Sequence, residues 1–201
     1  MVKEGWCYGA PLWLAGILCG IALGPWTAAP WVVAAAFCFY FFRDPDRVVP
    51  AGPVCVSPAD GRIVQVRREH DGRTRISIFL NIFDVHVNRI PVAGLVRSVH
   101  YERGKFRLAH LESASEDNER NTLVIQGSKG GVSVEVKQIA GLIARRIVCR
   151  KQPGDLVEKG ERFGLIKFGS RVDVVLGPEW HIAVVPGDRV AGGSSVLAKR
   201  Q

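Results

Sequence analysis

The chain begins with a long uncharged segment that restricts what it can fold into. The run Gly5–Phe42 holds 38 consecutive residues without a charged side chain. A helix that crosses the hydrocarbon core of a membrane takes about 20 such residues. Gly24, Pro25 and Pro30 interrupt the run near its middle, and these residue types break helices. We therefore expect residues 1–42 to form a hydrophobic helical hairpin in a membrane, either as two tight spans or as a re-entrant pair.

A cleaved signal peptide is the alternative interpretation of this segment. It requires a basic beginning and one short apolar core, whereas here Glu4 directly follows Lys3 and the apolar run is too long. The segment also contains aromatic residues of the kind found at membrane interfaces, namely Trp6, Trp13, Trp26, Trp31 and Tyr40. Lys3 precedes the run, and Arg43 and Arg47 follow it. By the positive-inside tendency, the rest of the chain faces the cytoplasm at the cell membrane.

The remaining residues carry the whole formal net charge of +8, because Lys3 and Glu4 cancel. Such an excess suits nucleic acid or an anionic phospholipid membrane. The basic runs lack the interleaved aromatic residues that bind nucleic acid bases, and the apolar segment favours the membrane.

The five cysteines show neither CxxC nor Cys/His spacing, so we expect no disulfide framework and no metal site. A reducing, cytosol-facing compartment fits this cysteine usage.

Beyond a proline-rich linker over residues 43–53, the sequence consists of short β-type runs separated by turn residues. The predicted strands are 54–57, 62–68, 74–80, 93–101, 122–127, 131–138, 146–150, 163–168, 171–176 and 182–186. Valines alternate with polar residues over 132–137, as in a half-buried strand, and Ser128–Gly131 before them is typical of a hairpin turn.

Helical periodicity in this part is limited to two short segments, one near 107–117 and one near 139–145. We therefore expect one mainly β domain over residues 54–201, built as a sandwich or a barrel-like sheet.

Four short stretches carry the side chains that could do chemistry. They are SPADG at Ser57–Gly61, DVHVNR at Asp84–Arg89, NERN at Asn118–Asn121 and FGS at Phe168–Ser170. Each alone has an ordinary explanation, such as a turn, a structural histidine or a solvated loop. Together and in this order, they resemble the phosphatidylserine decarboxylase family, in particular its short form from bacteria and archaea.

The resemblance runs from about Phe41 to about Ala198 and includes the apolar hairpin followed by FFRDPDR. The FGS stretch lies about thirty residues from the C-terminus, where that family has its self-processing site.

The Gly169–Ser170 pair suits self-processing on chemical grounds as well. The Ser170 hydroxyl can attack the preceding carbonyl carbon, and Gly169 has no Cβ to crowd the approach. Elimination of the resulting ester, followed by hydrolysis, releases ammonia and leaves a pyruvoyl group. The resemblance thus implies a β chain of residues 1–169 and an α chain of residues 170–201, which together form a heterodimer.

The resemblance also implies what the pyruvoyl group is for. Its ketone would form a Schiff base with the amine of a serine phospholipid and accept the electrons that CO2 leaves behind. Pyridoxal phosphate otherwise fills this role, so neither it nor a metal is expected. The sequence contains no GxGxxG fingerprint and no P-loop. The implied function is the decarboxylation of phosphatidylserine to phosphatidylethanolamine.

The other motifs supply candidates for proton transfer and substrate binding. His86 is our first choice for the base, and Asp60 is the carboxylate that would orient a base. Longer relatives carry a second histidine three residues after the one that matches His86, and this chain has Arg89 there. His110 and His181 therefore stay open as alternatives.

Arg89, Arg120 and Asn121 are candidates for binding the substrate phosphate or carboxylate. Ordinary surface pairing is the other interpretation of the two arginines.

A membrane-tethered carrier domain of the lipoyl or biotinyl type is the alternative function. The two expected turns, Pro153–Asp155 and Lys159–Glu161, resemble the turn pattern of those domains. They present a modified lysine at a hairpin tip, whereas Lys167 lies in an apolar strand pattern. This alternative, like a purely structural β domain, predicts one uncut chain.

Overall fold

The computed structural model describes residues 1–104, 118–127, 132–141, 146–167 and 170–200. The chain divides into two compact units, Met1–Asp46 and Arg47–Gln201. Several sequence expectations lie outside the described residues, namely the turn at Ser128–Gly131, the helix near 107–117, the alternative base His110 and the cleavage-site residue Gly169.

The first unit is a pair of helices joined by one helical turn. Helix α1 spans Lys3–Leu23, a 3-10 turn spans Pro25–Ala28, and helix α2 spans Ala29–Phe41. Gly24 ends α1 with a φ of 107°, which favours glycine. The predicted hydrophobic helical hairpin is therefore confirmed. Helix α1 is long and apolar enough to cross a membrane, whereas the apolar helix after it is shorter.

Small residues on α1 bring the two helices together. A Cβ at Gly9 would lie 2.6 Å from the ring of Phe39, and one at Gly5 would lie 3.0 Å from Cβ of Phe42. The Val2 N–H donates to the Phe42 carbonyl over 3.2 Å. Glycines at helix contacts let backbones approach closely, which is how helices pack where water does not drive them together.

The second unit is mainly β, as the strand pattern predicts. Its strands, over the described residues, are β1 Val54–Val56, β2 Gly61–Arg68, β3 Thr74–Leu80, β4 Val87–Arg89, β5 Gly94–Glu102, β6 Arg120–Gly127, β7 Ser133–Ala140, β8 Ile147–Cys149, β9 Leu156–Val157, β10 Arg162–Ile166, β11 Ser170–Leu176, β12 Trp180–Ile182, β13 Arg189–Val190 and β14 Val196–Arg200.

An eight-stranded sheet in the order β13-β2-β3-β11-β7-β6-β5-β9 curls into half a barrel. Two three-stranded sheets, β1-β14-β12 and β4-β10-β8, accompany it. The hydrophobic core contains alternate residues of the large-sheet strands, such as Val172 and Val174, together with residues of both small sheets, such as Phe163 and Ala198. On β7 the expected alternation is confirmed, with Val134 and Val136 buried and Ser133 exposed.

The structure corrects several details of the strand prediction. Strands β4, β9, β13 and β14 were not predicted, and all but β14 have two or three residues, too few for a period-two pattern to show. The predicted strand 182–186 is instead β12, which ends at Ile182. A helix near 139–145 is wrong at its beginning, because Ile139 and Ala140 pair with neighbouring strands of the sheet. Residues 142–145 are not described.

Strand β11 is central in the large sheet, and all seven of its residues are buried. It carries a fully buried ion pair: Arg171 Nε donates to Asp173 Oδ1 over 2.6 Å, and Arg171 Nη2 donates to Ser77 Oγ over 2.7 Å. The Arg171 and Asp173 side chains are 2% and 0% exposed. A buried charge needs its partner, so each member of the pair depends on the other.

We expect Arg171→Met to lower stability markedly, because it leaves the Asp173 carboxylate buried without its counter-charge. The cost of breaking a buried pair is about 3–5 kcal/mol, which corresponds to roughly 6–20 °C in Tm for a chain of this size. Thermal melting of the full chain in detergent measures it. The double variant Arg171→Met/Asp173→Val should recover most of the loss. An unchanged Tm in the single variant would show that the pair is not needed.

Candidate active site

Ser170 is the first residue of β11 and lies between two paired strands. It is opposite Leu80 of β3 and Ala140 of β7, and it is 0% exposed. Its Oγ is buried and has no hydrogen-bond partner among the described residues. Buried hydroxyls are nearly always paired, so the Ser170 hydroxyl is unusual within the described ranges.

The NERN motif lies next to the strand that pairs with Ser170. Asn118 Nδ2 donates to the Ala140 carbonyl over 2.8 Å, and the Ala140 N–H donates to the Glu119 carbonyl over 2.9 Å. Ala140 is the residue opposite Ser170 on β7. The motif is therefore held one strand away from Ser170 by both its backbone and its first side chain.

The DVHVNR motif is attached to the segment that leads into Ser170. Strand β4 pairs with β10, and the Ile166 N–H donates to the His86 carbonyl over 3.3 Å. Ile166 ends β10, four residues before Ser170. His86 is 1% exposed, so its imidazole lies inside the protein and not on its surface.

The hydrogen bond of the His86 ring determines which nitrogen is basic. Its Nδ1 lies 2.9 Å from the Asp84 carbonyl oxygen. A carbonyl oxygen only accepts hydrogen bonds, so Nδ1 carries the proton and donates. In the neutral ring the lone pair is then on Nε2, which is the atom that could remove a proton from a substrate or a hydroxyl.

The SPADG motif is linked to DVHVNR through the backbone. The Arg89 N–H donates to the Pro58 carbonyl over 2.8 Å. Gly61, which starts β2, has a φ of 150°, and a Cβ there would collide with the Phe79 carbonyl. Only glycine therefore allows β2 to begin so close to β3 at this point.

The Asp60 carboxylate is held by groups other than a histidine. Arg47 Nη2 donates to both of its oxygens, over 2.9 and 2.7 Å, and the Gly192 N–H donates to Oδ1 over 2.7 Å. Within the described part of the chain, these are the partners that Asp60 has. The sequence did not identify Arg47 as a site residue, although it stands in the RDPDR stretch that follows the apolar segment.

The three proposed substrate-binding residues differ in their surroundings. Arg89 is 7% exposed and donates from Nη1 to the Gly160 carbonyl over 3.1 Å. Asn121 is 2% exposed and donates to Gln138. Arg120 is half-buried and forms an ion pair with Glu102, and this pair lowers the pKa of Glu102. Arg120 thus lies where solvent reaches part of its side chain, whereas Arg89 is buried.

Of the other candidates for the base, His181 is exposed on β12, where it pairs with Lys199, while His110 lies outside the described residues. The described ranges contain no cluster of three or more His, Cys, Asp or Glu side chains suited to a metal ion.

A cavity of about 440 Å³, whose walls include Val134, Trp180 and Lys159, lies toward the other end of β7 from Ala140 and is separate from Ser170.

Comparison with known proteins shows the family of this chain. The family model of phosphatidylserine decarboxylase matches residues 34–198. A phosphatidylserine decarboxylase proenzyme of Solibacter usitatus is 56% identical over 200 residues, which cover 100% of this chain and 97% of the relative. Relatives with the same name from Cupriavidus metallidurans and Ehrlichia chaffeensis are 42% and 45% identical, and the matches cover 98% and 99% of this chain and 94% and 91% of the relatives.

These matches define the class of the protein as an enzyme, a carboxy-lyase. The chain belongs to the phosphatidylserine decarboxylase family. The resemblance of the four motifs is thereby confirmed.

We expect His86 to be found as the Nδ1-protonated tautomer, because its Nδ1 faces a carbonyl. The ¹⁵N chemical shifts of the imidazole, measured on labelled full-length protein in micelles, distinguish the protonated from the bare nitrogen. The spectrum of His86→Gln assigns the signals. A proton on Nε2 of the neutral ring would contradict the arrangement and would remove Nε2 as the basic atom.

Proposed function

We propose that this chain decarboxylates phosphatidylserine to phosphatidylethanolamine at the cytoplasmic face of a membrane, after cutting itself between Gly169 and Ser170. The observation that carries the proposal is the buried Ser170 hydroxyl, which has no hydrogen-bond partner within the described ranges. It begins a fully buried strand in a chain whose relatives bear the name proenzyme.

The first stage of the proposal is chemistry of the chain itself. Ser170 Oγ adds to the carbonyl carbon before it and gives up its proton to a base, for which His86 Nε2 is our candidate. The amide C–N bond then breaks, its nitrogen takes a proton, and an ester remains. Removal of the Ser170 α-proton expels the ester as a carboxylate. Water then releases ammonia and leaves the ketone of a pyruvoyl group.

Ser170 fits a pyruvoyl group because its own atoms supply it and its surroundings are dry. Leu80 and Ala140, the residues opposite Ser170, are both 0% exposed. A ketone at this position supplies an electron sink for decarboxylation of an amine-bearing substrate. The proposal needs neither a metal nor pyridoxal phosphate.

Substrate binding is assigned to residues by how accessible they are. Arg120 is half-buried, so a lipid phosphate or carboxylate can reach its guanidinium. Arg89 and Asn121 are buried and bonded to Gly160 and Gln138. We therefore assign these two to the frame of the site and give direct contact with the headgroup to Arg120.

The membrane and the two-chain product follow from the same proposal. The apolar hairpin anchors the chain, and the net charge of +8 favours an anionic surface, where each basic residue near the lipid gains about 1 kcal/mol. After the cut, β11 would keep its pairing with β3 and β7. The α and β chains would thus stay together as a heterodimer.

An intact mass spectrum of the purified full chain tests the proposal. We expect two chains separated between Gly169 and Ser170, with the smaller one lighter than a hydrolytic fragment by the mass of one ammonia. The processed protein should release phosphatidylethanolamine from vesicles that contain phosphatidylserine. A single uncut chain of 201 residues in folded protein would refute self-processing and favour the carrier or structural alternative.

We expect Ser170→Ala to abolish both cleavage and decarboxylation, because no hydroxyl is left to attack. The control is Ser98→Ala, which removes an exposed serine from β5 and should mature and turn over normally. Cleavage is followed by mass and turnover by lipid analysis. A Ser170→Ala protein that is cut and active would show that another residue carries the reaction.

We expect His86→Ala to slow self-cleavage, turnover or both by about 10²–10⁴-fold, the usual contribution of a positioned acid or base. His181→Ala, which changes an exposed histidine, is the matched control. Rates are measured as the appearance of the smaller chain and as turnover per processed site. Wild-type values for both would exclude His86 as the base.

A further inference from the structure

Three buried amide side chains form a hydrogen-bonded row across the site. Asn121 Nδ2 donates to Gln138 Oε1 over 3.0 Å, and Gln138 Nε2 donates to Asn88 Oδ1 over 2.8 Å. Their exposed fractions are 2%, 0% and 0% for Asn121, Gln138 and Asn88. The row connects β6 and β7 of the large sheet with β4, which belongs to a different sheet.

The direction of this row leaves one donor unused. The Asn88 oxygen accepts from Gln138, so its Nδ2 must face the other way. That nitrogen is buried and has no acceptor among the described residues. A buried N–H group without an acceptor costs folding free energy, and an isosteric apolar residue would avoid the cost. Within the described residues this donor is therefore available for a further hydrogen bond.

The row lies on the same face of the sheet as the Ser170 side chain. Gln138 pairs with Val172 of β11, and Ala140 pairs with Ser170. Directly paired residues point to the same face, and so do residues two apart on a strand. Gln138 therefore lies roughly 7 Å along β7 from Ala140. The Asn88 amide, to which Gln138 donates, lies on the same side of the sheet.

The attack of Ser170 produces a charge that needs such a donor. When Oγ adds to the preceding carbonyl carbon, the carbonyl oxygen becomes an oxyanion until the C–N bond breaks. A fixed N–H group in a dry site stabilises such an oxygen more strongly than water does, because it needs no reorganisation. Asn88 belongs to β4, which pairs with β10, and the His86 carbonyl just before β4 accepts from the Ile166 N–H at the end of β10.

We propose that Asn88 Nδ2 donates to the oxyanion of the self-cleavage step, and that Gln138, held by Asn121, is the positioning residue that orients the Asn88 amide. This inference rests on the proposed self-processing and adds to it a further catalytic residue. Its chemistry requires no group beyond those already named, because Asn88 donates a hydrogen bond and neither gains nor loses a proton.

The first test is Asn88→Asp, which keeps the shape but replaces the donor with an acceptor. We expect formation of the smaller chain, followed by intact mass, to slow by about 10²–10³-fold, the usual effect of losing one oxyanion donor. Asn88→Leu adds no buried charge and should slow cleavage similarly, which covers the case in which Asn88→Asp does not fold. Cleavage of a folded Asn88→Asp or Asn88→Leu protein at the wild-type rate would overturn the inference.

The second test acts on Asn88 without changing it. In Gln138→Glu, both side-chain oxygens accept, so Asn88 must turn its Nδ2 toward residue 138, which places its oxygen where Nδ2 lies in the wild-type chain. We expect the same loss of rate as in Asn88→Asp. Gln65→Glu on β2, where the glutamine is only half-buried, is the matched control and should cleave normally. A folded Gln138→Glu protein with the wild-type rate would remove Gln138 as a positioning residue.

Hydroxylamine distinguishes the step that is affected, because it cleaves esters but not amides under mild conditions. If Asn88 acts in the attack, Asn88→Asp accumulates no ester, and hydroxylamine should not cut it between residues 169 and 170. Rapid cutting would place the defect after ester formation and overturn the inference. If the wild-type chain itself stays uncut, the proposed function fails. If the wild-type chain is cut and the Asn88→Asp chain is cut at the same rate, the inference about Asn88 fails but the proposed function stands.

Discussion

The site depends on the pairing of β11 with strands on both of its sides. The strand forms an unbroken antiparallel register with β3 from Ser170 to Leu176 and with β7 from Ser170 to Val175. A residue at the start of such a strand has its backbone direction fixed by both neighbours, so its side chain can point only toward the core face. The buried pair of Arg171 and Asp173 on the opposite face further fixes the strand, because shifting the register would separate a buried charge from its partner.

The sequence predicted the large elements of this fold well, because their patterns are long. The uncharged run and its Gly-Pro break indicated two helices, and alternation over 132–137 indicated β7. The strands that the sequence did not predict, or predicted with the wrong bounds, are β4, β9, β12, β13 and β14 at the end of the chain. These strands are held mainly by long-range backbone bonds, such as that from the Ala183 N–H to the Leu197 carbonyl. A run of two or three residues carries no period of its own, so only the tertiary partner decides whether it is a strand.

For the candidate site, too, the sequence identified some of the residues and missed others. The four motifs were visible because their residue types and order carry a resemblance, and the family membership bears this out. Their partners were not visible. Arg47 reaches Asp60 from thirteen positions away, and Gln138 reaches Asn88 from fifty. No spacing rule connects such positions. The signal that finds Gln138 is a glutamine at the core-facing position of a strand, where burying an amide is unfavourable unless it is bonded.

The arrangement explains how a protein can cut its own chain and keep its structure. After the proposed cleavage, the new chain end at Ser170 belongs to β11, which is hydrogen-bonded to a strand on each side. Breaking the covalent bond before Ser170 therefore removes none of the hydrogen bonds between β11 and its neighbours. The reacting hydroxyl must also be dry, because water would compete for the acyl group, and a dry site makes fixed donors more effective. In the proposed step, the burial that leaves Asn88 Nδ2 without an acceptor among the described residues also strengthens it as a hydrogen-bond donor.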